Sequence, residues 1–260
     1  VYQNIRQAGL LFLLATAAGG PSLAHAGWTD ERQVDGLVCH ADFPLDNYAG
    51  LLREVSRLHG EIRQTLGLPS PRSPVHIFMF HDESAYRAYM KRWFPSVPQR
   101  RALFIKHEGP GMVFTYRGRH LVTDLRHEST HALLHSCLPS VPLWLDEGLA
   151  EYFELPADQR AGGNPYLKGT TWNARLGAVP SLQRLEQLSD INQMGQRQYR
   201  DAWAWVHFLL HASPEGKAEL TAYIASIARG GPPGKLSERL TRSLGKPAKH
   251  FAAHFRTWKR

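Results

Sequence analysis

The sequence predicts an α+β fold, with a mixed N-terminal lobe holding a small sheet, a central motif helix and a helical C-terminal lobe. Three observations carry that expectation. Short runs of β-forming residues occur only before Leu121, helical periodicity dominates beyond it, and a helix bearing a His-Glu-x-x-His pentad stands between the two.

After a short polar lead, residues 27–35, the span from Tyr48 to Leu66 repeats apolar residues at helical spacing (Leu51, Leu52, Val55, Leu58, Ile62, Leu66), and Gly67 and Pro69 close it. Val75 to Phe80 (VHIFMF) reads as a buried strand bounded by Pro74 and the polar His81-Asp82. Asp82 is placed to cap a helix running through Phe94. Two strand-like runs, Ala102 to Lys106 and Met112 to Tyr116, flank the turn Glu108-Gly-Pro-Gly111. A helix is expected from Leu121 to about Cys137, and another from Trp144 to Leu155 after a loop punctuated by Pro139 and Pro142. Residues 156–180, rich in Gly, Asn and Pro, read as an extended loop. Helical patterns then cover Ser181–Leu188, Tyr199–Ala212, Glu215–Ala228, Lys235–Leu244 and Pro247–Trp258.

Composition narrows the function classes. At 260 residues, with 43% hydrophobic and 21% charged residues, the chain is ordinary globular material rather than a disordered or fibrous one. The formal charge of +8 permits an anionic partner, but no run of five basic residues and no basic stripe interleaved with aromatics points to nucleic acid. Residues 1–26 combine Arg6, an apolar stretch from Ala8 to Ala18 and an Ala24-x-Ala26 site, the pattern of a secretory signal peptide. The apolar stretch is well short of the roughly 20 residues that span a bilayer. The expectation is a periplasmic or secreted protein whose residues 27–260 form one domain, with an α/β lobe over 27–137 and a helical lobe over 138–260. Two cysteines, Cys39 and Cys137, allow a single intramolecular pairing, and spacing alone leaves open whether they meet.

The chemistry is concentrated in His127-Glu128-Ser129-Thr130-His131. Histidines at i and i+4 project from one helical face and can reach one ion, and Glu128 beside them can take a proton from a metal-activated water. A chain with 14 histidines would produce such a pentad by chance about 0.04 times, so context decides. The pentad lies mid-helix with Leu125, Leu133 and Leu134 supplying a core-facing side. His135 continues the i+4 series, but it lies about 12 Å along the axis from His127, too far for three imidazoles to converge. It is read as structural. Among the remaining candidates, Glu147 in Trp144-Leu-Asp-Glu-Gly-Leu-Ala-Glu-Tyr-Phe-Glu154 would meet the histidine pair on a helix returning antiparallel. Zinc suits two imidazoles and a carboxylate with a fourth position left for water.

HESTH followed by WLDEGLAEYFE resembles the gluzincin metallopeptidases, and most closely the peptidase MA-like family. The resemblance covers Val75 to about Ala212. It implies a zincin-like fold, Glu147 as third zinc ligand, and Glu151, one turn on, as a carboxylate buttressing a zinc-bound histidine through its second ring nitrogen. Asp146 and Glu154 are read as lying on other faces of the helix, solvated or capping. By the same resemblance Tyr199, opening a downstream helix, is the donor to the oxyanion. The metzincin pattern is excluded because Leu134 and Cys137 stand where it requires Gly and His.

In this superfamily an edge strand beside the motif helix holds the peptide. Met112 to Tyr116, the last strand before the helix, is the expected one, with Met112, Val113 and Phe114 as substrate-binding residues. Gly109-Pro-Gly-Met112 is similar in outline to an aminopeptidase Gly-x-Met-Glu-Asn sequence, yet Val113 and Phe114 replace the Glu and Asn. The expectation is therefore a zinc endopeptidase acting on peptide or protein substrates. A zinc-containing envelope binding protein without catalysis is the alternative, and a basic polymer binder with an accidental pentad is a third reading.

Overall fold

The computed structural model describes residues 27–106, 109–230 and 234–258, so the expected signal segment 1–26 lies outside the described residues. Asp35 and Gly36 both take positive φ, 35° and 84°, the requirement of a two-residue hairpin turn matching the twist of its strands. They join β1 (Asp30–Val34) to β2 (Leu37–Ala41), with Val34 opposite Leu37. The polar lead expected here is thus largely a strand. β1 ends the sheet and stays half-exposed along its length, so its sequence, DERQV, needs no apolar alternation.

Helix α1 (Ala49–Leu66) crosses from β2 to the parallel strand β3 (Val75–Phe80), and Gly67, at φ 65°, ends it in the left-handed conformation. Helix α2 (Glu83–Trp93) follows, capped as expected by Asp82, whose carboxylate accepts from the Ala85 amide at 2.8 Å. Strands β4 (Leu103–Ile105) and β5 (Met112–Tyr116) complete a five-stranded mixed sheet in the order β1-β2-β3-β5-β4. β2, β3 and β5 run parallel, and β1 and β4 are antiparallel to their neighbours. Strand alternation sorts the faces. Val75, Ile77 and Met79 share a core with α1 and the motif helix, whereas Phe78 and Phe80 pack with Tyr86 and Met90 of α2.

Helix α3 (Leu121–Cys137) carries the pentad and serves two cores. Leu121, Leu125 and Ala132 join the sheet side, and Leu133, Leu134 and Cys137 join the helical side. Ser129 and Thr130, both fully buried, leave room for close approach on either flank. His59 of α1 donates to the Ser129 carbonyl at 3.1 Å and ties α1 to the middle of the motif. Helix α4 (Leu143–Phe153) returns beside α3 after Pro139 and Pro142. Residues 156–180 are not simply loop, because α5 (Tyr166–Arg175) lies within them. It buries only Leu167, Thr170 and Ala174, too weak a stripe to stand out among Gly, Asn and Pro. The chain closes with α6 (Leu182–Leu185), α7 (Gln196–His211), α8 (Pro214–Ala228), α9 (Leu236–Leu244) and α10 (Pro247–Thr257). Trp203 and Phe208 of α7 and Phe251 and Phe255 of α10 are fully buried, each stabilising the lobe by about 1.5–3 kcal/mol relative to exposure. The fold is α+β, with the sheet in the N-terminal part and helices after it.

Cys39 and Cys137 are free, buried thiols placed in different core clusters. Burial pushes the Cys39 thiol up to about 12. No helix among the described residues is long and apolar enough to cross a membrane.

Candidate metal centre

Helices α3 and α4 run antiparallel, since His127 early in α3 meets Glu154 at the end of α4 while His135 late in α3 meets Asp146 at its start. This arrangement delivers Glu147 to the histidine pair. Its Oε2 lies 3.8 Å from His127 Nε2 and 3.7 Å from His131 Nε2, and the three ligand atoms all fall within 4.8 Å of one another. Ligands about 2.0–2.1 Å from a tetrahedral zinc stand roughly 3.3–3.4 Å apart, so the two Glu147 distances are a few tenths of an ångström wider than in a closed site. His135 is not part of this triad.

Each imidazole of the pair has a carboxylate on its second nitrogen. His131 Nδ1 donates to Asp146 Oδ1 at 2.9 Å, and His127 Nδ1 donates to Glu154 Oε2 at 3.0 Å. Both bonds fix the tautomer that presents Nε2 to Glu147. The expected buttress, Glu151, does not occupy either place. It lies near His127 and Glu154, with Tyr166 of α5 as a further neighbour. Asp146, expected to be solvated, is fully buried. Glu154, expected on another face as a solvated or capping residue, instead bonds His127, because residues 147, 151 and 154 follow the i, i+4, i+7 rule for one helical face.

The electrostatics favour a cation. Burial pushes Glu147 up, but the charges of His131 and His127 outweigh it and hold its carboxyl below the ordinary range. For Asp146, burial is likewise outweighed by His131 and His135, leaving it well below the usual carboxylate range. Burial drives His127 down, yet the nearby Glu147 carboxylate, its hydrogen bond to Glu154 and the charge of Glu128 hold it well above an ordinary histidine. Burial and the charge of Glu154 push Glu151 up to about 7. In a chain of formal charge +8, this concentration of carboxyls around two imidazoles stands apart. Glu147 is 2% exposed, and its Oε1 finds no hydrogen-bond partner among the described residues. A buried carboxylate oxygen left so is costly unless a cation takes it. Glu128 Oε2 is buried and unpartnered in the same way.

Tyr199, in the first turn of α7, is partly buried beside the site. Burial and the charges of Glu147 and Glu151 push its hydroxyl up to about 12, while the neighbouring Arg100 guanidinium pulls it down. It therefore keeps its proton at neutral pH. Arg100, in the loop between α2 and β4, is a neighbour that no sequence motif marked.

The strand expected to hold substrate is not an edge strand. β5 pairs with β3 on one side and β4 on the other, so Met112, Val113 and Phe114 lie inside the sheet. Val113 and Phe114 are buried in opposite cores. β4 is the terminal strand, and its Phe104 ring stacks 6.4 Å from His131. β4 and β5 are consecutive and antiparallel, with the earlier strand outside, which linear order does not reveal. An open cavity of about 480 Å³ lined by Trp205, Lys246 and Lys249 shares no residue with the metal centre.

No family model matches the chain, and no curated protein matches it.

Proposed function

We propose that this chain is an exported zinc metallopeptidase of gluzincin type, acting as an endopeptidase. The observation that carries the reading is the convergence of His127, His131 and Glu147 ligand atoms within 4.8 Å. Two imidazoles and one carboxylate are the donors of catalytic rather than structural zinc sites, and the unpartnered Glu147 oxygen fits a cation there.

His127, His131 and Glu147 would hold the ion, which supplies Lewis acidity at a carbonyl and acidifies water. Glu128 takes the proton of the attacking water and returns it to the leaving amine. Its unpartnered, buried carboxylate oxygen suits that work, because no protein donor competes for its lone pairs. Tyr199 keeps its proton and donates a hydrogen bond from its hydroxyl to the oxyanion as charge develops. Asp146 and Glu154 hold the two imidazoles in one tautomer throughout. A peptide added to the sheet would lie against β4, next to α3, and not against β5.

The test has two arms. Purified protein should carry about one zinc per chain and cleave casein or a mixed peptide substrate in a chelator-sensitive way. Glu128→Gln should lose turnover while keeping its zinc. Absence of bound metal, or an unchanged rate in E128Q, sinks the reading.

A further inference from the structure

We infer that His135 is a positioning residue for the metal centre, acting on His131 through Asp146. The inference rests on the proposed reading only in that a cation binds the His127, His131 and Glu147 triad.

Asp146 is fully buried, and its two oxygens are tethered on opposite sides. Oδ1 accepts from His131 Nδ1 at 2.9 Å, and Oδ2 accepts from His135 Nε2 at 2.9 Å. An ionised carboxylate offers only acceptors, so deep burial demands donors for both oxygens. His135 supplies the second. A carboxylate held by one bond can swing about its Cβ–Cγ axis and carry the partner ring with it, whereas one held at both oxygens has a fixed plane. His135 is in turn confined. Phe104 of β4 lies 5.6 Å from its ring, and the backbone carbonyl of His135 accepts from Lys106. The same Phe104 ring stacks near His131, and Gly111 makes room for it, since a Cβ there would meet Phe104 Cε2 at 2.9 Å. His131, Asp146, His135 and Phe104 thus close a loop of contacts around one ligand. The third histidine of the i+4 series, too remote to bind the ion with His127, orients the ligand that does.

The experiment is zinc affinity by chelator competition, with the visible spectrum of the cobalt-substituted protein as a second readout. His135→Leu should weaken zinc binding by about 10–100-fold and alter the cobalt bands. His135→Gln, whose amide N–H reaches the place of Nε2, should restore both. A merely space-filling role for His135 would remove that difference, with Leu tolerated as well as Gln. Should H135L fail to fold, His135→Asn carries the same test, because its amide falls short of Asp146 and should behave as the donor-less variant. Wild-type zinc affinity in H135L or H135N overturns the inference while leaving the metal centre intact. A wild-type chain that binds no zinc overturns both.

Discussion

Gly148 of α4 and Ala202 of α7 stand so close that a Cβ on the glycine would lie 2.8 Å from the Ala202 carbonyl oxygen and 2.9 Å from Val206 Cγ2. Gly148 follows Glu147 directly, and Ala202 lies one turn after Tyr199. The glycine therefore sets how near the proposed oxyanion donor comes to the proposed third ligand. In an open helix Gly→Ala would gain up to about 1 kcal/mol. Here the backbone oxygen cannot move aside cheaply, and overpacking of this kind costs about 1–3 kcal/mol. Gly148→Ala should lower the urea midpoint and reduce peptidase activity by more than the loss of folded protein explains. An equally stable G148A would mean that α4 and α7 are not fixed at this contact.

The carboxylates on the histidine Nδ1 atoms divide the roles of Glu151 and Glu154. Glu154→Gln should weaken zinc binding by about 10–100-fold, as loss of a partner to a ligating histidine does. Glu151→Gln should leave zinc affinity near the wild-type value, because the Nδ1 atoms of the pair are bonded to Glu154 and Asp146 rather than to Glu151. Chelator titration of the two variants side by side decides it. A larger loss in E151Q than in E154Q would return the buttress to Glu151.

What was legible in the sequence follows from which interactions are local. Helix α3, strands β3 and β5 and the Asp82 cap depend on periodicity and nearest neighbours, and all lie where the pattern places them. The hairpin at Asp35-Gly36 carried a turn signal, but β1 has one polar residue after another and no stripe to extend it. The approach of Glu147 to the histidines follows from one short connection. Other parts of the site depend on long-range geometry. Whether β4 or β5 ends the sheet is settled by strand order, and the burial of Asp146 by α3 covering the start of α4. A helical wheel places Glu154 with Glu147 but does not say which carboxyl reaches the His127 ring.

Tyr199→Phe removes one hydroxyl and little volume. Loss of an oxyanion donor typically costs about 10²–10³ in kcat, and that loss is expected with KM and zinc content nearly unchanged. Steady-state kinetics on a defined peptide, with metal analysis of the same sample, separates this from a binding role. If the loss falls on KM while kcat stands, Tyr199 holds the ground-state substrate and the oxyanion donor lies elsewhere.

Acid should weaken the fold through His59. Burial holds this imidazole down to about 4, against 6.5 for an ordinary histidine. The native state therefore binds fewer protons than the unfolded chain between those values. Stability then rises with pH across that window and falls as pH drops from about 6.5 towards 4. At 1.36 kcal/mol per pK unit the full effect is on the order of 3 kcal/mol. His127 and Glu151 are shifted upward and oppose it in metal-free protein, so absolute stability is the wrong readout. The difference between wild type and His59→Gln cancels both. Glutamine can still donate to the Ser129 carbonyl, and it does not titrate. In urea titrations at pH 7.5, 6 and 5, H59Q should gain on wild type as the pH falls. A pH-independent difference would show that His59 is not held neutral in the folded protein.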